Sequence, residues 1–243
     1  MDLASVWKWL RRERAISTGV KSPPHPFDQR YGVETGGLIQ GSDLKSGHAS
    51  DVFNTAYYAM SPSRFQQVMN YWIADETHPG LENYSFVDLG CGKGRAVMMA
   101  SEFGFREVVG VELHPALARI AEANVATWNR AGRAACPVQI VCQDAAEFVF
   151  PSGACLLYLF NPFAAPVVLR IIERIEAEFA ARAGMLDLMY FNPEAGELLE
   201  AHPGFELLWT GTMELSEEDQ AADPVESPDD RCSVYRWRGL ASA

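Results

Sequence analysis

The sequence predicts a doubly wound α/β fold: a mostly parallel sheet with an antiparallel last strand, preceded by a helical N-terminal extension. Three observations carry that expectation. Apolar strand-like runs alternate with amphipathic segments from about residue 84 onward, which demands a parallel sheet with right-handed crossovers. The first strand runs directly into glycines at 90, 92 and 94 and then into a helix. The last two strand-like segments, Phe205 to Met213 and Ser233 to Trp237, have no full helix between them, so they read as a hairpin with one antiparallel strand at the edge.

The elements follow in order. Phe86-Val87-Asp88-Leu89 is apolar enough for a buried parallel strand, and Gly90-Cys91-Gly92-Lys93-Gly94 lets the backbone turn tightly beneath a ligand. Arg95 to Phe105 reads as a helix, and Val108 to Glu112 as a second strand ending in an acid. Pro115 to Arg130 carries Leu117, Ile120, Ala121 and Trp128 at helical spacing. Val138 to Cys142 and Cys155 to Phe160 are buried strands, the first followed by Asp144-Ala145 and the second by Asn161-Pro162-Phe163. Val168, Ile171, Ile172, Ile175 and Phe179 mark a long amphipathic helix before the strand Met185 to Phe191, which Asn192-Pro193 closes.

Residues 1–80 read as an extension and lid, and 81–243 as the sheet domain. A short helix with Trp7, Trp9 and Leu10 precedes a stiff Pro23-Pro24-His25-Pro26 linker. Ser61-Pro62 supplies an N-cap and first turn for a helix carrying Phe65, Val68, Met69 and Trp72. Five cysteines without a C-x-x-C pair read as reduced core residues. The N-terminus lacks the order of a signal peptide and no run of 18 apolar residues exists, so a cytoplasmic protein away from membranes is expected. Net charge is −12, with seven acids between residues 217 and 230, which disfavours nucleic acid as a partner and leaves a small molecule or a protein as the expected substrate. The acidic stretch reads as a solvated loop, with a flap that attracts a cationic substrate as the sharper reading.

The turn after the first strand selects a nucleoside ligand. A dinucleotide fingerprint needs a glycine where Arg95 stands, and a pyrophosphate would be repelled by Asp88. Asp-x-Gly-x-Gly-x-Gly resembles motif I of the class I S-adenosylmethionine-dependent methyltransferases, with Glu112 in the place of their ribose-binding acid. The resemblance covers roughly Tyr84 to Gly239 and implies a seven-stranded, Rossmann-like sheet, with S-adenosylmethionine as cofactor and S-adenosylhomocysteine as product. It implies cofactor contacts at Asp88, Gly90, Cys91, Gly92, Lys93, Gly94, Glu112 and Leu113. Asp144 with the backbone of Ala145 would hold the adenine amino group, and Asp144 also suits a helix N-cap. Arg95 is a candidate for the methionine carboxylate or a solvated helix start.

Asn161-Pro162-Phe163 resembles the N/D-P-P-Y/F motif that grips a nitrogen acceptor, although one proline is missing. Asn161, a cofactor and acceptor candidate, is set against a plain strand-ending turn, which Asn192-Pro193 repeats. Tyr58 and Tyr31 are candidate catalytic aromatics for a cationic group, and His114, Glu34, Asp28 and Tyr58 are candidate bases. No metal is required. The Asp-x-Arg-Tyr-Gly segment at 28–32 and the Tyr-x-x-Ser-Pro helix start resemble a small group of bacterial class I methyltransferases. A few of these residues are also similar to the lid of non-SET histone lysine methyltransferases. A cofactor-binding regulatory protein without turnover is the alternative of another class, and a nicotinamide-dependent oxidoreductase is a third.

Overall fold

The computed structural model describes residues 25–75, 77, 80–222 and 230–240. The Trp7/Trp9 helix and the start of the proline linker lie outside them, as do Asp223, Glu226 and Asp229 of the acidic stretch.

Seven strands form one sheet: β1 Tyr84–Leu89, β2 Glu107–Glu112, β3 Val138–Cys142, β4 Ala154–Phe160, β5 Leu186–Phe191, β6 Phe205–Thr212 and β7 Arg231–Trp237. Their order is β3-β2-β1-β4-β5-β7-β6. The first five pair in parallel, and β7 is antiparallel to both neighbours, β5 and β6. The hairpin is therefore present, but the expected position of its reversed strand is corrected. β7 inserts between β5 and β6, so β6 takes the edge. The residues explain the choice: β7 is buried along almost its whole length, whereas β6 alternates between exposed and half-buried positions.

The helices α1 Pro26–Tyr31, α2 Pro62–Ile73, α3 Arg95–Ala100, α4 Pro115–Arg130, α5 Ala165–Phe179, α6 Gly196–Glu200 and α7 Glu217–Ala222 cover the sheet. One face holds Phe65, Trp72, Phe86, Val97 and Trp128, and the other holds Val87, Leu157, Ile172, Phe179 and Tyr190. Inner strands buried on both faces need the continuous apolar runs seen in β1 and β4. The helix after the glycine turn stops at Ala100, short of the Phe105 expected from the sequence.

Of the four described acids of the stretch, Glu217 and Glu218 are exposed, as a solvated segment would be, whereas Asp219 and Asp230 are buried and act as braces. Asp219, 3% exposed, accepts the Ser63 backbone N–H at 2.7 Å and caps α2, a task Ser61 leaves undone. Asp230 pairs with the buried guanidinium of Arg64 at 3.2 Å. Glu218 meets Arg30 of α1 at 3.3 Å. The sequence shows the acids, but the partners that turn them inward stand about 150 residues away.

Candidate active site

The site forms where β1 and β2 end side by side. The Gly90 and Cys91 N–H groups donate to the Val111 carbonyl at 2.8 and 3.0 Å, which laces the turn to β2. Gly90, Gly92 and Gly94 have φ of 83°, 55° and 84°, where a side chain would be strained. Space forbids one at two of them as well: a Cβ on Gly90 would meet Pro162, and on Gly92 the ring of Tyr57. Glu112 accepts the Gly92 and His114 N–H groups, both at 2.8 Å. Asp88 is 3% exposed, and no described residue donates a hydrogen bond to its carboxylate. Burial pushes the Asp88 carboxyl well above the ordinary range, and the neighbouring Glu112 charge adds to it. Burial also raises Glu112, partly offset by its two backbone donors. The Cys91 thiol is raised by burial and by Asp88.

These groups open into a cavity lined on one side by Leu44, Ser50 and residues 54–60. One wall is apolar, with Val111, Leu113, Leu117, Phe163 and Val167, and ends at Asp144 and Ala145. Another is aromatic, with Tyr57, Tyr58, Tyr158 and Phe160. Asp144 caps the 3-10 turn Ala145–Glu147 through the Ala146 N–H at 2.8 Å. Burial opposes its ionisation, yet the Ser50 hydroxyl at 2.7 Å, the Ala146 N–H and Arg170 together hold its carboxyl below the usual range. Of the residues singled out in the sequence, Tyr58, Asp88, Gly90, Cys91, Gly92, Arg95, Glu112, Leu113, Asp144 and Ala145 meet at this cavity.

Others go elsewhere. Lys93 donates from Nζ to Glu34 Oε1 at 3.0 Å and to the Gly36 carbonyl at 2.9 Å, so its charge is committed to the extension and it does not line the cavity. Arg95, a candidate for the methionine carboxylate or a solvated helix start, lines the cavity but is 2% exposed, which corrects the solvated reading. Its Nε donates to Thr35 Oγ1 at 2.6 Å, its Nη1 to the Met60 carbonyl at 3.2 Å, and its Nη2 lies 3.8 Å from Asp28 Oδ1. Asp28 in turn accepts the Thr35 N–H at 2.8 Å, the Thr35 hydroxyl at 2.5 Å and the Gly36 N–H at 2.7 Å. Residues 28–36 are thus stapled to the glycine turn by charged groups removed from water. Gly94 packs against Ala121. Tyr31 faces a separate hollow with Phe27 and Trp128, where the Arg133 guanidinium lies 4.2 Å from its ring. Glu34 pairs with Lys93, and His114 lies outside the cavity lining.

Asn161 sits just beyond the lining with φ of 43°. Its carbonyl accepts the Thr55 hydroxyl at 2.5 Å, and the Pro162 carbonyl accepts the Thr55 N–H at 3.2 Å. The Pro162 carbonyl, the backbone acceptor expected to grip a nitrogen, is therefore engaged by the extension, as is the Asn161 carbonyl beside it. Tyr57 and Thr55 were not singled out by the sequence. The one available signal was their place in a polar and aromatic stretch without periodicity.

Residues 86–176 match a family model described as a methyltransferase domain. That match begins at Phe86, so the extension and its likeness to histone lysine methyltransferases lie outside it. No curated protein matches the sequence. Among solved structures, the B. subtilis m1A22 tRNA methyltransferase TrmK is 13% identical, with 74% of this chain and 68% of that one covered and a TM-score of 0.51. A protein of the NADB-Rossmann superfamily from Streptococcus agalactiae is 11% identical, with coverage of 76% and 72% and a TM-score of 0.50. An RNA methyltransferase from Salinibacter ruber, solved with S-adenosyl-L-homocysteine, is 16% identical, with coverage of 76% and 96% and a TM-score of 0.48.

The expectation that nucleic acid is disfavoured as a partner is corrected by these comparisons, because a solved structure of similar fold is that of a tRNA methyltransferase. The physical reason is that net charge is a poor guide here. Asp28, Asp88, Glu112, Asp144, Asp187, Asp219 and Asp230 are all buried and add little to the field outside. No helix among the described residues is long and apolar enough to cross a membrane. The chain has the class I, seven-stranded, Rossmann-like fold of S-adenosylmethionine-dependent methyltransferases, and its residues 86–176 are similar to a methyltransferase domain.

Proposed function

We propose that this protein moves the methyl group of S-adenosylmethionine to an acceptor presented at the Tyr58 and Phe160 wall of the cavity. The observation that carries the reading is the pair of buried carboxylates at the glycine turn. Asp88 and Glu112 line one cavity, whose one lining cation among the described residues, Arg95, is engaged by Thr35, Met60 and Asp28, and both carboxyls resist ionisation. Such a site repels a pyrophosphate and favours a ligand that brings positive charge. Glu112, held by two backbone donors, keeps lone pairs for two ribose hydroxyls. Asp88 suits an ammonium group, and the apolar wall ending at Ala145 suits a purine. S-adenosylmethionine brings an activated sulfonium methyl, so the chain has only to align the acceptor, exclude water and let a proton leave. Leu44, Ser50 and residues 54–60 line the cavity on the side of the extension.

The nitrogen acceptor expected from Asn161-Pro162-Phe163 loses the proline carbonyl to Thr55 and keeps the Asn161 amide. The solved tRNA methyltransferase of similar fold supports including RNA among the acceptors, beside small molecules and proteins.

Calorimetric titration with S-adenosylmethionine, S-adenosylhomocysteine and NAD tests the cofactor. Saturable binding of the first two and none of NAD is expected. Binding of NAD alone overturns the proposal.

A further inference from the structure

A loop of the extension reaches the end of the cavity where the apolar wall stops. Ile39 and Tyr57 exchange backbone hydrogen bonds, N–H to carbonyl at 3.0 and 2.8 Å, so residues 40–56 leave and rejoin the extension at one neck. Gly41 lies against the Asn54 and Thr55 carbonyls, where no side chain would fit, and this draws the neck tight. Inside the loop, Asp51 shapes the tip. Its carboxylate accepts the Ser46 and Gly47 N–H groups, both at 2.8 Å, and the Ser46 hydroxyl at 2.7 Å. His48 Nδ1 accepts the Ser50 N–H at 3.2 Å. The tip is thereby folded before it meets the sheet domain, and it presents Ser50.

Ser50 is 5% exposed and donates its hydroxyl to Asp144 Oδ2 at 2.7 Å, although the two stand 94 residues apart. Asp144 Oδ1 accepts the Ala146 N–H at 2.8 Å. Arg170 Nη1 and His48 Nδ1 lie farther from Oδ2, at 3.4 and 3.7 Å. Each carboxylate oxygen thus has one short hydrogen bond from the chain and keeps a further lone pair. Ser50, Asp144 and Ala145 all line the cavity. Three acids of this cavity differ in one respect: burial raises Asp88 and Glu112, whereas the donors on Asp144 outweigh burial, the Ser50 hydroxyl foremost.

An ionised carboxylate accepts from an amine and repels a carbonyl oxygen, while a protonated one can donate to a carbonyl. The distinction matters for a purine, whose exocyclic group is an amine in adenine and a carbonyl in hypoxanthine. We propose that Ser50, delivered by the 40–56 loop, positions Asp144 to accept from the exocyclic amine of the cofactor's purine, so that the loop sets the preference for an amino purine over an oxo purine. The inference rests on the methyl-transfer reading above and on the purine it puts against the apolar wall. Ser50 acts here through Asp144. Without the hydroxyl, Oδ2 keeps only the more distant Arg170 and His48, and the carboxyl is free to turn or to take up a proton.

Calorimetry on the full chain with S-adenosylhomocysteine and its deaminated analogue, S-inosylhomocysteine, tests this. The wild-type protein should bind the first about tenfold or more tighter, as one hydrogen bond to a charged group implies. Ser50→Ala should shrink that ratio by about threefold or more, weakening S-adenosylhomocysteine while the analogue stays within about twofold. Ser50→Thr keeps the hydroxyl and should restore the ratio. Glu112→Ala, at the ribose, should weaken both ligands alike and leave the ratio as it was. Thermal melting identifies a misfolded variant, and Ser50→Cys, with its weaker donor, then replaces Ser50→Ala. Equal binding of the two ligands by the wild-type protein overturns this inference and leaves the methyl-transfer reading standing. A wild-type ratio in Ser50→Ala overturns it too; if both affinities fall together, the hydroxyl merely holds the loop. A wild-type protein that binds neither ligand overturns the methyl-transfer reading and this inference with it.

Discussion

At the start of β5, Asp187 is fully buried and accepts two hydrogen bonds from Arg236, at 2.7 and 2.9 Å, and one from Trp72 Nε1 at 2.8 Å. Near the end of β1, Asp88 is almost as buried and receives none from any described residue. The first carboxylate lies toward the amino end of the sheet, where it ties α2 to β5 and β7. Donating hydrogen bonds to Asp187 raises the Arg236 pKa further above its already high value, against the effect of burial. The second lies at the carboxyl end, where ligands bind in open α/β sheets. Folded proteins rarely leave a buried polar group without a partner. An exception in a cavity marks a group whose partner arrives from outside. The same sheet thus uses one buried acid for cohesion and holds another in reserve.

Removing the cohesive acid should cost most. Asp187→Ala leaves Arg236 buried without its main counter-charge, with only Asp75 at 3.3 Å and Thr77 beside it. Breaking a buried pair from one side typically costs about 3–5 kcal/mol, which denaturant unfolding would read directly. Cofactor affinity of the folded fraction should stay as it was. A loss below about 1 kcal/mol would erase the distinction between the two ends, since surface substitutions do no more. Glu112→Ala inverts the pattern. It should weaken S-adenosylmethionine binding by about 1.5–3 kcal/mol in calorimetry, the worth of hydrogen bonds to a charged group. Unchanged affinity in a folded protein would remove the ribose role.

What the sequence disclosed divides along similar lines. The strands and the glycine turn were legible because apolar runs and glycine spacing are local properties, read within a dozen residues. Asp88, Glu112 and Asp144 were legible because they close strands whose ends the pattern marks. The insertion of β7 was not, since it depends on which strand pairs β5 across a connection of some 40 residues. The solvated reading of Arg95 failed for the same reason. Its partners Asp28 and Thr35 lie 60 or more residues upstream in a stretch with no period, and a buried clamp and a solvated helix start look alike there. Tyr57 escaped beside Tyr58 because only the fold shows which ring lies over Gly92.

The reserved acid also makes a pH prediction. The folded-state pKa of Asp88 is raised above its unfolded value, so the folded apoprotein binds its proton more tightly than the unfolded chain does. That contribution to stability is complete below the unfolded pKa, near 3.8, and is lost as pH rises through the folded value. Asp88→Asn never ionises and should keep it. At pH 8 the variant should therefore unfold at higher free energy than wild type, by about 1.4 kcal/mol for every tenfold by which burial weakens the acid, while binding S-adenosylmethionine more weakly. Equal stability at pH 8 would mean that the Asp88 carboxylate already has a partner in the apoprotein.

The smallest expected effect concerns the seam between the extension and the site. Thr55→Val keeps the shape of the side chain and the backbone N–H bond to Pro162, but removes the hydroxyl bond to the Asn161 carbonyl. One neutral hydrogen bond contributes about 0.5–1.5 kcal/mol, so global unfolding should shift little. Local opening is the sharper readout. The Asn54–Phe163 bridge and the Ala164 N–H bond to the Phe53 carbonyl share this seam with Thr55. Their amides should exchange with solvent several-fold faster in the variant, while those of β1 and β4 stay protected. Faster exchange confined to residues 53–57 and 161–164 would show that the extension opens at this seam, independently of the sheet. Exchange that quickened equally in β1 would mean that extension and sheet open as one unit, and the carboxyl end would then be as cohesive as the amino end.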